Sequence, residues 1–264
     1  KKLLVLLLTL SVAIGVFADG QGEAAATADK TSFVILNGAE PPSLDPSLSE
    51  DTASHNIILA MFDGLLIYDP ETNDGLPGIA ESWTISNEGY TWTFKLRKAT
   101  WSDGVPITAQ TVVDSWLRTL NPETASSYAW MMGMVVEGAE DYAYGDGKPE
   151  DVQIRALDNY TFQMDMVGPL AYVSSMLPHS IFAILPVHAI KEHGEKWILP
   201  ENIVVNGAYK MTEWIPQDHI TVVKNDKYWD ADTATIDEII YIASDDNNTR
   251  YNMYLNGEAD WVNG

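Results

Sequence analysis

The chain has 264 residues, and 38 Asp and Glu against 15 Lys and Arg give it a formal net charge of -23 at pH 7. A surface this acidic repels nucleic acid and anionic lipid headgroups, so neither is expected as a partner. The sequence has no cysteine, which excludes disulfide scaffolds, thiolate metal sites, cysteine nucleophiles and a lipid anchor on an N-terminal cysteine.

The first 18 residues have the pattern of a secretory signal. Two lysines precede an apolar run, and Val16-Phe17-Ala18 suits a signal peptidase that cuts after Ala18. The run is shorter than the about 20 apolar residues that a spanning helix needs, so a cleaved signal is favoured over an uncleaved membrane anchor. No later stretch is apolar enough to span a membrane. Residues 19–31 are small and polar, which predicts a flexible tether.

The next segment predicts a strand, a loop and a helix. Residues 33–37 are β-branched and aromatic and end in Asn-Gly, as in a buried strand. Three prolines between positions 41 and 46 then hold an extended loop. Apolar residues recur at helical spacing from Ile57 to Phe62, so a helix is predicted from Asp51 or Thr52, either of which can cap it, to Gly64.

Residues 65–107 look all-β, with turn residues at short intervals. The alternation of Tyr90, Trp92, Phe94 and Leu96 with polar residues predicts one buried and one solvated sheet face. Thr108 should cap the following helix, which Asn121-Pro122 ends.

The remaining segments alternate between the two kinds of element. A turn-rich stretch at 141–151 precedes a hairpin at 152–166 and a short helix at 171–177. A helix should run from Pro186 to His193, followed by two strands over 209–223 and one over 236–243. Asp245 or Asp246 can cap a last helix that ends at Gly257, and residues 260–262 begin another strand. The class is α/β.

Catalytic motifs are missing from the sequence. It has no Gly-rich phosphate loop, no G-x-S-x-G elbow and no H-E-x-x-H. The best metal-like cluster is His188, Glu192 and His193, but only the first two share a helix face, so a solvated helix surface is favoured and no cofactor or metal is predicted. Nine Trp and twelve Tyr can line a ligand cleft, although the core is the favoured place for each. An exported, acidic, aromatic-rich chain of this kind is typical of a binding protein.

Several ordered segments are more specific, namely PPSLDPSLSEDTASHNI, FDGLLIYDP, LPGIAESWTIS, YTWTFKLRKATWSDGVPITAQTVVDSW, LNPETASSYAW, IVVNGAYKMTEW and KNDKYW. From Phe33 to the last residue the chain resembles the periplasmic oligopeptide-binding proteins, in the peptide and nickel branch of ABC-importer solute receptors. The resemblance implies two hinged α/β lobes, with a β-rich subdomain inserted into the first. Residues 32–62 and 187–264 would then belong to an incomplete first lobe and 63–186 to the insert, while the second lobe would be absent.

The resemblance also implies a site. Family members bind peptides as an added strand, so that main-chain hydrogen bonds supply affinity and hydrated pockets tolerate many side chains. Glu50, Asp51 and Thr52 match the segment that pairs with the peptide, although members often have a small residue at the position of Asp51. Tyr128 matches a tyrosine that faces the ligand, and His179 matches a histidine near the cleft.

Each of these site residues also has a plain structural interpretation. Asp51 can be a helix cap, Tyr128 can pack on Trp130, and a histidine beside proline, as His179 is, often has a structural role. Asn206-Gly207 should shape a tight turn near the cleft wall without contacting the ligand.

The function that the resemblance implies is a periplasmic receptor, not an enzyme. It would bind oligopeptides as a monomer and deliver them to the permease and ATPase subunits of an ABC importer. A receptor of the same family for cello-oligosaccharide, nickel or haem is the first alternative, although few His and no Cys disfavour the metal and haem versions. A secreted glycan-active enzyme with two carboxylates in a Trp-lined cleft is the second.

Overall fold

The computed structural model describes residues 30–263. The predicted signal and residues 19–29 of the predicted tether lie outside this range. The last residues of that tether lie against the rest of the protein, since Lys30 pairs with Glu238 and the Thr31 main-chain N–H donates to Asp237 Oδ2 at 2.8 Å. Within residues 30–263, no helix combines the length and the hydropathy needed to cross a membrane.

The described chain is a mixed α/β fold, which confirms the predicted class. Its strands are β1 (Ser32–Leu36), β2 (Leu66–Tyr68), β3 (Gly75–Pro77), β4 (Ala80–Ser86), β5 (Thr91–Leu96), β6 (Ile154–Asp158), β7 (Thr161–Asp165), β8 (Tyr209–Ile215), β9 (His219–Lys224), β10 (Glu238–Ile242) and β11 (Trp261–Val262). Its α-helices are α1 (Thr52–Met61), α2 (Ala109–Leu120), α3 (Ala129–Gly133), α4 (Ala139–Ala143), α5 (Val173–Met176), α6 (Val187–His193) and α7 (Asn247–Leu255).

The two ends of the described chain share one sheet. This five-stranded sheet has the order β11-β1-β10-β9-β8, and β1 runs parallel to both of its neighbours. Phe33 pairs with Ile239, so β1 finds its partner about two hundred residues further along the chain. The residues between form separate sheets, one of two strands (β2-β3) and one of four (β4-β5-β7-β6).

The four-stranded sheet buries the face that the sequence alternation predicts. Trp92, Phe94 and Leu96 of β5 are all buried, and Trp116 of α2 packs edge-on against Phe162 with ring centroids 5.2 Å apart. Tyr90 was expected on the same face, but it is 41% exposed. That prediction was wrong because residues 87–89 have positive φ, which turns the chain before β5 begins.

Helix ends follow the predicted caps. The Asp51 carboxylate accepts the Ser54 N–H at 2.8 Å, and Thr108 with Thr111 forms a capping box. Asp246, and not Asp245, caps α7 by accepting the Thr249 N–H. The five-residue helices α3 and α4 were not predicted, because one turn is too short to display a helical period.

Candidate functional site

All five residues singled out by the sequence line one cavity of about 190 Å³. Glu50 and Asp51 come from the loop that enters α1, and Thr52 is the first residue of that helix. Tyr128 immediately precedes α3, and His179 lies in the turn after α5. Three more residues complete the lining, namely Ser49, His55 and Ser180. The cavity therefore lies between the start of α1 and two later segments, at residue 128 and at residues 179–180.

Asp45 holds the loop before the cavity in place. Its side chain accepts the Ser47 N–H at 2.9 Å, and its carbonyl accepts the N–H groups of Leu48 and Ser49. Arg118 of α2 donates two hydrogen bonds to the same carboxylate, at 3.0 and 2.6 Å. This anchoring delivers the next residues, 50 and 51, to the cavity wall.

The main chain at this wall has several unpaired groups and is extended at Asp51. Asp51 has φ -127° and ψ 158°, which is β conformation. No residue between 30 and 263 bonds to the N–H groups of Glu50 and Asp51 or to the Glu50 carbonyl, while the Glu50 side chain accepts the Ser127 hydroxyl. Free N–H and C=O groups on extended backbone form an edge that another extended chain can pair with.

The rings of His55, His179 and Tyr128 line the cavity and continue in a row to Trp130. The ring centroids of His55 and His179 are 5.1 Å apart, those of His179 and Tyr128 are 5.9 Å apart, and those of Tyr128 and Trp130 are 6.3 Å apart. His55 Nδ1 lies 3.0 Å from the Ser180 hydroxyl. His179 Nδ1 accepts the Ile181 N–H, so the neutral ring has its proton on Nε2.

Burial leaves both imidazoles poor bases. It lowers the pKa of His55, although nearby Asp51 opposes the shift. Burial and the neighbouring His55 together lower the pKa of His179 to about 4. At neutral pH both rings are therefore uncharged.

The structure fits both interpretations of these residues, since they do structural work and also line the cavity. Asp51 caps α1, Tyr128 packs near Trp130, and His179 holds the Ile181 N–H. His55 was missed. Because it lies four residues after Asp51 and three after Thr52, helical spacing alone would have placed it on the same side of the first turn of α1.

A second cavity, of about 330 Å³, shares Asp51 and Thr52 with the first. It is lined also by Asn37, Arg250 and Asn263. Arg250 Nη1 donates to the Asn263 carbonyl at 2.6 Å, and Asn263 reaches Asn37 Oδ1 at 3.4 Å. Asp51 and Thr52 thus line both cavities. The sequence contains no local signal for this, because β1 and β11 bring the two ends together.

Asn206-Gly207 does not make the predicted tight turn. Asn206 is buried and its amide bonds to both main-chain groups of Asp63, accepting the N–H and donating to the carbonyl, each at 3.0 Å. The Gly207 N–H donates to the Met61 carbonyl, and a Cβ on Gly207 would lie 2.5 Å from the Met61 carbonyl carbon. The pair was misread because its partner is about 140 residues away in the chain.

The metal-like cluster on α6 meets a different partner. His188 Nε2 lies 2.8 Å from Asp103 Oδ2, and its ring packs edge-on against Trp101. Across residues 30–263, no three His, Cys, Asp or Glu side chains are grouped so that they could hold a metal ion.

Comparison with known proteins places this geometry in context. The family model described as "Bacterial extracellular solute-binding proteins, family 5 Middle" matches residues 76–264. The periplasmic oligopeptide-binding protein OppA of Salmonella typhimurium is 37% identical over 235 residues, which cover 88% of this chain and 43% of that protein.

Solved structures of the same kind align closely with the fold. A periplasmic oligopeptide-binding protein of Borrelia burgdorferi, OppAIV, has a TM-score of 0.85 at 39% identity, over 88% of this chain and 47% of that one. Haemophilus influenzae OppA in complex with the peptide RPPGFSPFR also has a TM-score of 0.85, at 35% identity, over 89% of this chain and 46% of that one. The chain spans about half the length of the relatives that it matches.

Proposed function

The chain belongs to family 5 of the bacterial extracellular solute-binding proteins, a family of receptors and not of enzymes, and from this premise we propose that it binds oligopeptides for an ABC importer. The receptor would act outside the cytoplasm, in the periplasm, after removal of residues 1–18. It would bind peptide as a monomer and deliver it to the permease and ATPase subunits of the importer.

One observation carries the proposal. Glu50 and Asp51 line a cavity, Asp51 has β conformation, and the N–H groups of both residues and the Glu50 carbonyl have no partner in the described range. A peptide can pair with such a segment whatever its own sequence, because main-chain groups are common to all peptides. The match to an OppA protein solved with a bound peptide supports the same conclusion.

We assign the roles in the site accordingly. The main chain of Glu50, Asp51 and Thr52 pairs with the ligand backbone, while Tyr128 and His179 form the wall that faces a ligand side chain. Asp51 fulfils this role through its backbone, since both of its carboxylate oxygens are occupied by Ser54.

The domain assignment is a proposal of the same kind. Residues 32–62 and 187–264 would form one lobe, and residues 63–186 a subdomain inserted into it. The separate sheets support this division. The strands of the five-stranded sheet all lie in residues 32–62 and 187–264, and those of the four-stranded sheet all lie in residues 63–186.

A single substitution that removes one main-chain N–H tests the proposal. Thr52 is the first residue of α1, where proline is well tolerated, and Asp51 already has the extended conformation that a following proline requires. Thr52→Pro removes one N–H from the proposed strand pairing, whereas Thr52→Ala keeps it. We expect Thr52→Pro to weaken tri-alanine binding about tenfold, which is about 1.4 kcal/mol, and Thr52→Ala to bind like the parent.

Isothermal titration calorimetry on the protein expressed from its complete reading frame makes the measurement. Equal affinities of the proline and alanine variants would contradict the proposal that the Thr52 N–H bonds to the ligand main chain. If the parent protein bound no tri- to pentapeptide, the proposed peptide-binding function itself would be contradicted.

A further inference from the structure

The cavity beside Glu50 has an uncompensated charge. Its lining includes two acidic residues, Glu50 and Asp51, and none of the lysines or arginines in residues 30–263 lines it. The two histidines add no positive charge at neutral pH, because burial holds the pKa of each below its ordinary value. One oxygen of Glu50 accepts the Ser127 hydroxyl, which leaves the other without a protein donor in the described range.

A row of rings begins in the cavity and continues beyond it. His55, His179, Tyr128 and Trp130 follow one another at centroid separations of 5.1 to 6.3 Å, with interplanar angles between 34° and 47°. A planar guanidinium stacks on aromatic faces and can pair with a carboxylate at its edge, whereas an ammonium is a compact and strongly hydrated charge. The Glu50 carboxylate bonds to Ser127, which precedes Tyr128 in the chain, so it lies beside this row of rings. A carboxylate beside such rings is better suited to arginine than to lysine.

Building on the proposed function, we infer that this cavity selects a peptide with an arginine side chain at one position. The guanidinium would pair with the Glu50 carboxylate and stack on the rings of Tyr128 and His179. His55 shapes the same wall by packing against His179. The receptor would remain a general peptide binder through the main chain of residues 50–52, with arginine adding affinity at a single position.

An arginine scan tests this inference. Calorimetry on the protein from its complete reading frame would compare tri-alanine with tripeptides that have arginine, lysine or citrulline at each position in turn. Citrulline has the shape of arginine without its charge. We expect arginine to exceed citrulline about tenfold at one of the three positions, with lysine between them.

A matched pair of variants locates the effect. Glu50→Gln removes the charge from the cavity rim, and we expect it to reduce the ratio of arginine to citrulline affinity at least about threefold. Glu123→Gln removes an exposed carboxylate that does not line the cavity, and we expect the ratio to stay as in the parent. The scan on the parent protein needs no variant, so it stands even if Glu50→Gln fails to fold.

The outcomes separate the two proposals. If tri-alanine binds but arginine exceeds citrulline at no position, the arginine inference is overturned and the peptide function stands. The inference is also overturned if lysine equals or exceeds arginine, since the rings would then not select a planar cation. If no tripeptide binds, both proposals fail together.

Discussion

Two buried aspartates join the five-stranded part of the molecule to the inserted part, and they do so in different ways. Asp45 lies in the loop before α1, and Asp63 lies just after that helix. Each accepts a bond from a tryptophan indole N–H, that of Trp197 at 3.3 Å and that of Trp229 at 2.8 Å. The two junctions therefore start from the same chemistry.

Their charge partners differ. Asp45 has a bidentate arginine, Arg118, and their side chains are only 4% and 20% exposed. Asp63 has no guanidinium at bonding distance in the described chain, because Arg97 stacks over the Trp229 ring at 3.6 Å and donates its Nε–H to the Gly78 carbonyl. Burial consequently raises the pKa of Asp63 to about 6, even though the Trp229 and Tyr228 donors oppose the shift.

The comparison shows that a buried carboxylate contributes according to its partner. The paired carboxylate, that of Asp45, is charged and anchors the loop at the cavity wall. Removing its partner would leave a buried charge uncompensated and would greatly lower the free energy of unfolding. Asp63, which has no such cation, is held through its backbone, because Asn206 bonds to its N–H and C=O. Burial disfavours the charged form of its side chain.

The largest expected effect comes from removing the charge partner at the first junction. Arg118→Met leaves Asp45 buried without a cation, so we expect a loss of about 3 to 5 kcal/mol in the free energy of unfolding, measured by urea titration of tryptophan fluorescence. Arg155→Met is the matched control, because the Arg155–Asp165 pair has side chains 39% and 29% exposed, and it should cost less than about 1 kcal/mol. Equal losses would show that burial does not decide the strength of these pairs.

The next largest effect comes from removing the Asn206 amide, which bonds to the main chain of Asp63 at the second junction. Asn206→Ala leaves the buried N–H and C=O of Asp63 without partners, and we expect it to lower the free energy of unfolding by about 2 to 3 kcal/mol. Asn202→Ala removes a single, exposed bond to the Lys196 carbonyl six residues earlier in the chain, and it should cost about 1 kcal/mol or less. A loss from Asn206→Ala no greater than that from Asn202→Ala would contradict the role assigned to this amide.

The smallest effect is a dependence on pH. Because the folded pKa of Asp63 lies above its unfolded value of 3.8, the folded state binds more protons between pH 4 and 6, so stability from this group falls as pH rises through that window. Asp63→Asn removes the dependence. Relative to the parent, we expect it to gain about 2 kcal/mol between pH 4.5 and 7.5.

Urea titrations of both proteins at the two pH values supply the measurement. The difference between variant and parent cancels every other titrating group that the substitution leaves unchanged. A difference that does not vary with pH would mean that Asp63 ionises in the folded protein as it does in the unfolded chain.

Much of the fold could be predicted because its signals are local. Asp51 and Thr108 each cap a helix through an amide three residues away, and the alternation of Trp92, Phe94 and Leu96 is a property of one strand. The candidate site was predicted by resemblance and not by pattern. Helical spacing could have added His55, but nothing near Arg250 or Asn263 indicates that they lie beside Asp51.

By itself, the sequence determined the local elements, their caps and the α/β class, because hydrogen bonds between near neighbours and side-chain periodicity act within a few residues. Only the tertiary structure decided which distant segments meet. It paired β1 with β10, placed Asn206 on the backbone of Asp63, and closed one cavity from Glu50, Tyr128 and His179. Such pairings depend on the burial of whole sheets, which a single segment of sequence cannot express.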